Sequence, residues 1–380
     1  MRALRHMMVV VGPAGSSAVR VHAMRARRMC FIAESHANFG GALQVEIFRR
    51  SVQGGSGRNM SLGALSAAMI MQSFSIETTP KLSSRIEKHS AFMPPGTPVY
   101  VAAIPGTAFE DAAELCTRLS SEGLLPVPHL AARDMRDRQE LDAWLANMRG
   151  SGVQRVLLLA GDTETPAGDF SSSLDVLRTG RLQAYGISQV DIVAHPEGSL
   201  NMKDALAEVF KKVNWAQEHN VSMQIVTQVC FDIGAISALC RKLRAGGAQN
   251  RIRVGLPGLA SAETLLRYAK MCGVGPSLNL LKANASLVLG PAGFGGIGGN
   301  NPAPLLQRLS DAVAADPQGH GDVSAHFFSF GSLQRTAMWA AEHRHTIANA
   351  EAHTLDASAP ISGGVEGIRG GGHDETSGRG

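Results

Sequence analysis

Between residues 69 and 347 the chain alternates short apolar runs with amphipathic segments of helical period, and few folds accept that alternation. The runs are Met71–Thr78, Val99–Ile104, Leu125–Ala131, Arg155–Gly161, Val190–Ala194, Met223–Phe231, Ile252–Leu256 and Ala325–Phe330, and each reads as a strand. In the intervening segments, apolar residues recur at helical spacing in Leu141/Trp144/Leu145/Met148, Leu206/Val209/Phe210/Val213 and Ile236/Leu239/Cys240/Leu243. Such stripes are helix faces that pack on a sheet. Eight strands alternating with helices over roughly 280 residues predict an α/β chain folded as a (β/α)8 TIM barrel, with a doubly wound parallel sheet as the alternative.

The flanks differ from this middle. Residues 1–68 carry nine Arg, no Lys and two acids (Glu34, Glu46), whereas residues 348–380 carry two Arg and five acids. These two stretches account for the whole +4 net charge, so the middle is neutral. A neutral middle argues against nucleic-acid binding as the main function, because that needs Lys and Arg clustered on the folded surface. The leader fits a mitochondrial transit peptide, being rich in Arg with no acid before Glu34. An upstream start codon, with Met60 or Met69 as the true start, fits equally well. The expected organisation is a disordered or transit-like leader at 1–68, a barrel at 69–347 and a disordered Gly-rich tail at 348–380. The expected compartment is the cytoplasm, or the mitochondrion if the leader is an address. No run of about 18 apolar residues exists, so no transmembrane helix and no membrane partner are expected. The five cysteines (Cys30, Cys116, Cys230, Cys240, Cys272) contain no CxxC pair and are expected to be reduced and mostly buried.

In a barrel, chemistry sits at the carboxyl ends of the strands, where the βα loops converge. Those ends carry Glu77, His129, Asp162, His195 with Glu197, and Gln228 with Asp232. Singly, each reads as readily as a cap on the following helix. Five such ends suit a shared site better than five caps.

The segments that carry these residues resemble the methylenetetrahydrofolate reductase family. SIETTPK (Ser75–Lys81) is similar to that family's FEFFPPK, VPHLAARDM (Val127–Met135) to PHLTC, and LLLAGDTETPAGDF (Leu157–Phe170) to ALRGDPP. VAHPEGS (Val193–Ser199) resembles AAYPEGHP, and IVTQVCFD (Ile225–Asp232) resembles ITQFFFD. VGLPGLASAETLLRYAKMCGV (Val254–Val274) and HFFSF (His326–Phe330) stand where the family has PGIMP…FADMCGA and HFYTL. The resemblance implies an FAD-containing barrel that reduces 5,10-methylenetetrahydrofolate to 5-methyltetrahydrofolate with NADH or NADPH. It puts Glu77 in the place of the general acid, which protonates N10 as the imidazolidine ring opens. Such an acid must have a raised pKa, and burial at a strand end would supply it. It puts Asp162 at a catalytic position near flavin and pterin, Gln228 at a substrate-binding amide, and His129, Gly161, His195, Lys211 and Lys212 at flavin contacts. No metal is implied, and a homo-oligomer is expected.

The sequence also departs from the family. Thr78-Thr79 replace an aromatic pair after the acid, Ala160 replaces an Arg, His195 and Ser199 replace a Tyr and a His, and Ser332 stands where an Arg is expected. The threonine and tyrosine of the second strand end are replaced around Ala102 and Ala103. The same fold run in reverse as a 5-methyltetrahydrofolate oxidase, or a catalytically idle folate-binding paralogue, are the alternatives. A metal-dependent hydrolase built on His129, His195, Asp162 and Glu197 is a further class. Gly293–Gly298 formally reads GxGxxG but precedes Asn-Asn-Pro, so a loop is favoured over a dinucleotide fingerprint. The chain ends soon after the barrel, so the family's C-terminal regulatory domain and adenosylmethionine inhibition are not expected.

Overall fold

The computed structural model describes residues 62–102, 104, 108–199, 204–271 and 301–356. Eight parallel strands, β1 (Ser75–Thr78), β2 (Pro98–Val101), β3 (Leu125–Ala131), β4 (Arg155–Leu159), β5 (Gln189–Ala194), β6 (Ser222–Thr227), β7 (Ile252–Pro257) and β8 (Val323–Phe328), pair in chain order. β8 returns to β1 and closes the sheet, with Ser75 opposite His326 and Glu77 opposite Phe328. This is the TIM barrel that the alternation predicts. A doubly wound sheet is excluded by the closure.

Helices wrap the barrel: α1 (Leu62–Gln72), α2 (Pro80–Ser83), α3 (Phe109–Ser121), α4 (Arg138–Gly150), α5 (Ser173–Arg178), α6 (Arg181–Ala184), α7 (Ala205–Glu218) and α8 (Ile233–Ala245) precede β7. After it come α9 (Ala262–Met271), α10 (Ala303–Ala315) and α11 (Pro317–His320), and α12 (Leu333–Asp356) follows β8. All four residues of the α4 stripe and all four of the α8 stripe are buried; in α7, Val209 and Val213 are buried while Leu206 and Phe210 pack at the margin. Asp137 caps α4 by accepting the Glu140 N–H, and Asp232 caps α8 by accepting the Gly234 N–H.

The period-2 alternation of the strands sorts the core into two parts. Outward residues such as Ile76, Val99, Val156, Ile192, Ile225 and Phe327 join the large core between sheet and helices. Inward residues Tyr100, Val127, Leu157 and Val226 fill the barrel itself.

Several boundaries differ from expectation, each for a local reason. Met71–Gln72 end helix α1 instead of opening β1, because their apolar run is short enough to fit either period. That helix starts at Leu62, seven residues before the expected domain start at 69. Its residues Ala67, Ala68, Ile70 and Met71 are buried where it packs against α10, α12 and β8. Helix α12 likewise runs to Asp356, past the expected end at 347. β2 ends at Val101, and Ile104 is exposed beyond it. β6 stops at Thr227 because the Gln228 side-chain oxygen takes the Val229 N–H. β8 stops at Phe328 because Phe330 is left-handed at φ 46°. Cys116, Cys230 and Cys240 are buried as expected, and burial pushes the Cys116 thiol up to about 12 and Cys240 to about 11. The remaining leader and tail, Cys30, Cys272 and Gly293–Gly298 lie outside the described residues.

A polar layer crosses the barrel beneath the strand ends. Asp191, fully buried, accepts hydrogen bonds from the Tyr100 hydroxyl at 2.5 Å and the Gln189 amide at 3.1 Å. Arg253, 2% exposed, donates to Gln224 Oε1 at 2.8 Å and to the Ser73 carbonyl at 2.9 Å. Burial holds the Arg253 guanidinium below its ordinary pKa, while Tyr100 and Asp191 pull it back up. Above this layer Gly255 lets β7 close on its neighbours: a Cβ there would lie 2.6 Å from the Thr227 carbonyl, 2.7 Å from the Phe328 ring and 2.9 Å from the Gln228 carbonyl. Two of those atoms are backbone and cannot yield. Gly255→Ala is therefore expected to destabilise the barrel by about 1–3 kcal/mol, read as a lower urea midpoint at unchanged slope.

Candidate active site

Glu77 is the third residue of the four-residue strand β1, and its inward direction follows from the outward packing of Ile76. About a fifth of its side chain is accessible (21%), which leaves a solvent-facing edge on an otherwise enclosed carboxyl. His129 of β3 places Nε2 3.5 Å from Glu77 Oε2, and His326 of β8 places Nε2 3.8 Å from the same oxygen. Neither nitrogen has a hydrogen-bond partner, and both are buried. Three strands thus deliver one carboxyl and two imidazoles to one spot.

The electrostatics of this trio favour neutral groups. Burial raises the Glu77 pKa above the ordinary carboxylate range, against a smaller lowering by His129. Burial also lowers His129, against an opposing pull from Glu77, and His326 adds to the lowering. For His326, burial and then the Arg253 charge push the pKa down to about 3. The enclosure shifts all three groups toward their uncharged forms.

A second group gathers at the ends of β4 and β5. Gly161 follows β4 at φ 94°, a left-handed conformation that favours glycine. Asp162, next in the chain, is exposed. Past β5, His195 is half-buried; burial and then Lys212 lower its pKa, and Asp162 raises it. The adjacent lysines on α7 separate. Lys211 is exposed and pairs with Glu208 at 2.6 Å, whereas Lys212 is 6% exposed and burial lowers its pKa. Lys212 has no hydrogen bond or salt bridge among the described residues. A desolvated cation of this kind suits a bound anion, which would restore its lost hydration.

At the end of β6 Gln228 is half-buried, and its side-chain oxygen is engaged by the Val229 N–H at 2.9 Å. Beside it lies an aromatic wall in which Phe328 stacks on Phe330 at 5.9 Å between centroids and Phe330 on Tyr268 at 4.7 Å. Sequence reasoning assigned no role to His326, Tyr100 or Asp191. Their signal was a polar residue at an inward position of an otherwise apolar strand, as in HFF and QVDIVA. Among the described residues, no three His, Cys, Asp or Glu side chains are grouped so as to hold a metal ion.

The family profile described as Methylenetetrahydrofolate reductase matches residues 75–288, more than half of the chain, and spans Glu77, His129, Asp162, His195 and Gln228. The chain belongs to the methylenetetrahydrofolate reductase family. In this family member Glu77 and His129 lie in the carboxyl-terminal halves of β1 and β3, and Asp162, His195 and Gln228 follow β4, β5 and β6. Among solved structures it is similar to N-acetylneuraminate lyase from Fusobacterium nucleatum complexed with pyruvate, at 9% identity and a TM-score of 0.33 over 79% of this chain and 78% of that one. That likeness is too distant to bear on function.

The family implies a flavin, and the side chains present fit one. An unpartnered buried imidazole nitrogen on His129 and a buried ammonium on Lys212 are groups of the kind that a flavin ring edge and its phosphates would use. No described helix is long and apolar enough to cross a membrane.

Proposed function

We propose that this protein is a flavin-dependent oxidoreductase that reduces 5,10-methylenetetrahydrofolate to 5-methyltetrahydrofolate with NADH or NADPH. The observation that carries this reading is the Glu77 carboxyl, enclosed at the end of β1, held toward its protonated form and still open at one edge. FAD, when bound, would supply the two-electron relay between nicotinamide and folate. His129, Gly161, Asp162 and His195 would line it, and of the lysine pair Lys212 rather than Lys211 would face its phosphates.

Glu77 gives its proton to N10 of the folate as the five-membered ring opens. The carboxylate left behind regains a proton from solvent through its exposed edge. Gln228 offers its amide N–H to the pterin, its oxygen being held by the backbone, and Asp162 orients the pterin. The overall balance consumes one NAD(P)H and one proton for each methylene group reduced to methyl.

Lys212→Met is expected to weaken FAD binding about 10- to 100-fold, the loss of a charge-assisted contact, while Lys211→Met leaves it within about twofold. Fluorescence titration of apoprotein with FAD checks both. The functional reading is tested by assaying the purified full-length chain for 5-methyltetrahydrofolate with each nicotinamide. Product formed with either one supports it, and none with both overturns it.

A further inference from the structure

We infer that Ser75 and His326 are positioning residues that present a lone pair, and not an N–H, to Glu77 and thereby keep its carboxyl in the acid form. The inference rests on the reading of Glu77 as general acid and adds the device that poises it. Ser75 Oγ lies 2.9 Å from His326 Nδ1 and 3.4 Å from the Ala325 carbonyl. A carbonyl only accepts, and a serine hydroxyl has one proton. Both contacts are satisfied together only when Ser75 donates to Ala325 and accepts from His326 Nδ1–H. That tautomer leaves Nε2 as an acceptor, and Nε2 is the orphaned buried atom 3.8 Å from Glu77 Oε2.

The surroundings support this arrangement from every side. His326 is fully buried, and the edges of Tyr100 and Phe328 fix its ring, with centroids at 4.6 Å and 5.0 Å. The groups that face the pair are His129 from β3, Tyr100 from β2, Asp191 from β5 and Arg253 from β7. Burial and the Arg253 charge keep the imidazole from taking a second proton, so it stays an acceptor across the working range. At 3.8 Å the contact is longer than a hydrogen bond, as catalytic contacts often are before substrate closes the site. An acceptor lone pair at that place stabilises Glu77–OH and repels the carboxylate.

Ser75→Ala removes the acceptor that fixes Nδ1–H while leaving the strand packing intact. The proton then moves to Nε2, which stabilises the Glu77 carboxylate. The test uses full-length protein with ¹⁵N-labelled histidine and ¹³C-labelled glutamate, signals being assigned with His326→Gln and Glu77→Gln. Expected in the wild type is a neutral Nδ1–H imidazole that does not titrate in the folded range. In Ser75→Ala the imidazole is expected as Nε2–H and the Glu77 titration about one pH unit lower, with Ser75→Thr restoring both. An Nε2–H tautomer in the wild type, or a Glu77 titration unmoved in Ser75→Ala, overturns the inference. These spectra need no turnover. If they behave as expected and no 5-methyltetrahydrofolate forms, the positioning role stands and the assigned reaction falls. In an active enzyme the alkaline limb of kcat moves down by the same amount in Ser75→Ala, because the acid form is lost as pH rises through the Glu77 pKa.

Discussion

Glu77→Gln is expected to lower the rate of methylenetetrahydrofolate reduction by about 10²- to 10⁴-fold while leaving reduction of the bound flavin by NAD(P)H within about twofold of wild type. Glutamine preserves the volume of the side chain and can still meet His129 and His326 Nε2, so the barrel end keeps its shape. It carries no proton of suitable acidity. The two half-reactions therefore separate: stopped-flow absorbance follows flavin reduction, and product analysis follows folate reduction. Equal losses in both would place Glu77 in flavin binding. An unchanged folate rate would remove it from catalysis altogether.

The second large effect is on stability. Asp191→Asn is expected to cost about 3–5 kcal/mol, because it removes the buried anion whose charge favours the buried Arg253 cation and leaves that cation uncompensated inside the barrel. The Tyr100 hydroxyl also loses a charged acceptor, and Tyr100 is the ring against which His326 packs. Chemical denaturation followed by circular dichroism measures the loss, and Asp191→Leu with Arg253→Met tests its origin. If the double variant recovers most of the stability, the cost lies in the unpaired cation. If it does not, the hydrogen bonds of Asp191 carry the layer.

The barrel was legible because eight apolar runs separated by helical stripes allow little else, and β3 was located to the residue. Where the strands end was less legible. Met71–Gln72 read as strand because four or five apolar residues satisfy either period, and only packing against α10 and α12 decides for helix. β6 read past Gln228 because a side chain that captures its neighbour's N–H leaves no trace in hydropathy. In the site, Glu77 and His129 could be picked out as polar residues at strand ends. His326 could not, since the expected strand ran on to Phe330 and its role depends on which strand closes against β1. The lysine pair had two possible faces, and the helical rotation that buries Lys212 and exposes Lys211 is set by the packing of Val209 and Val213.

Passage of a hydride from this barrel to a folate, with Glu77 supplying the proton, is visible in a single half-reaction. Full-length protein, loaded with FAD and reduced anaerobically, is mixed with 5,10-methylenetetrahydrofolate while the flavin absorbance is recorded. The oxidised band is expected to return with one equivalent of 5-methyltetrahydrofolate per flavin in the wild type, and to stay bleached in Glu77→Gln. A wild-type protein that binds no flavin, or whose reduced flavin persists in the presence of the folate, would contradict it.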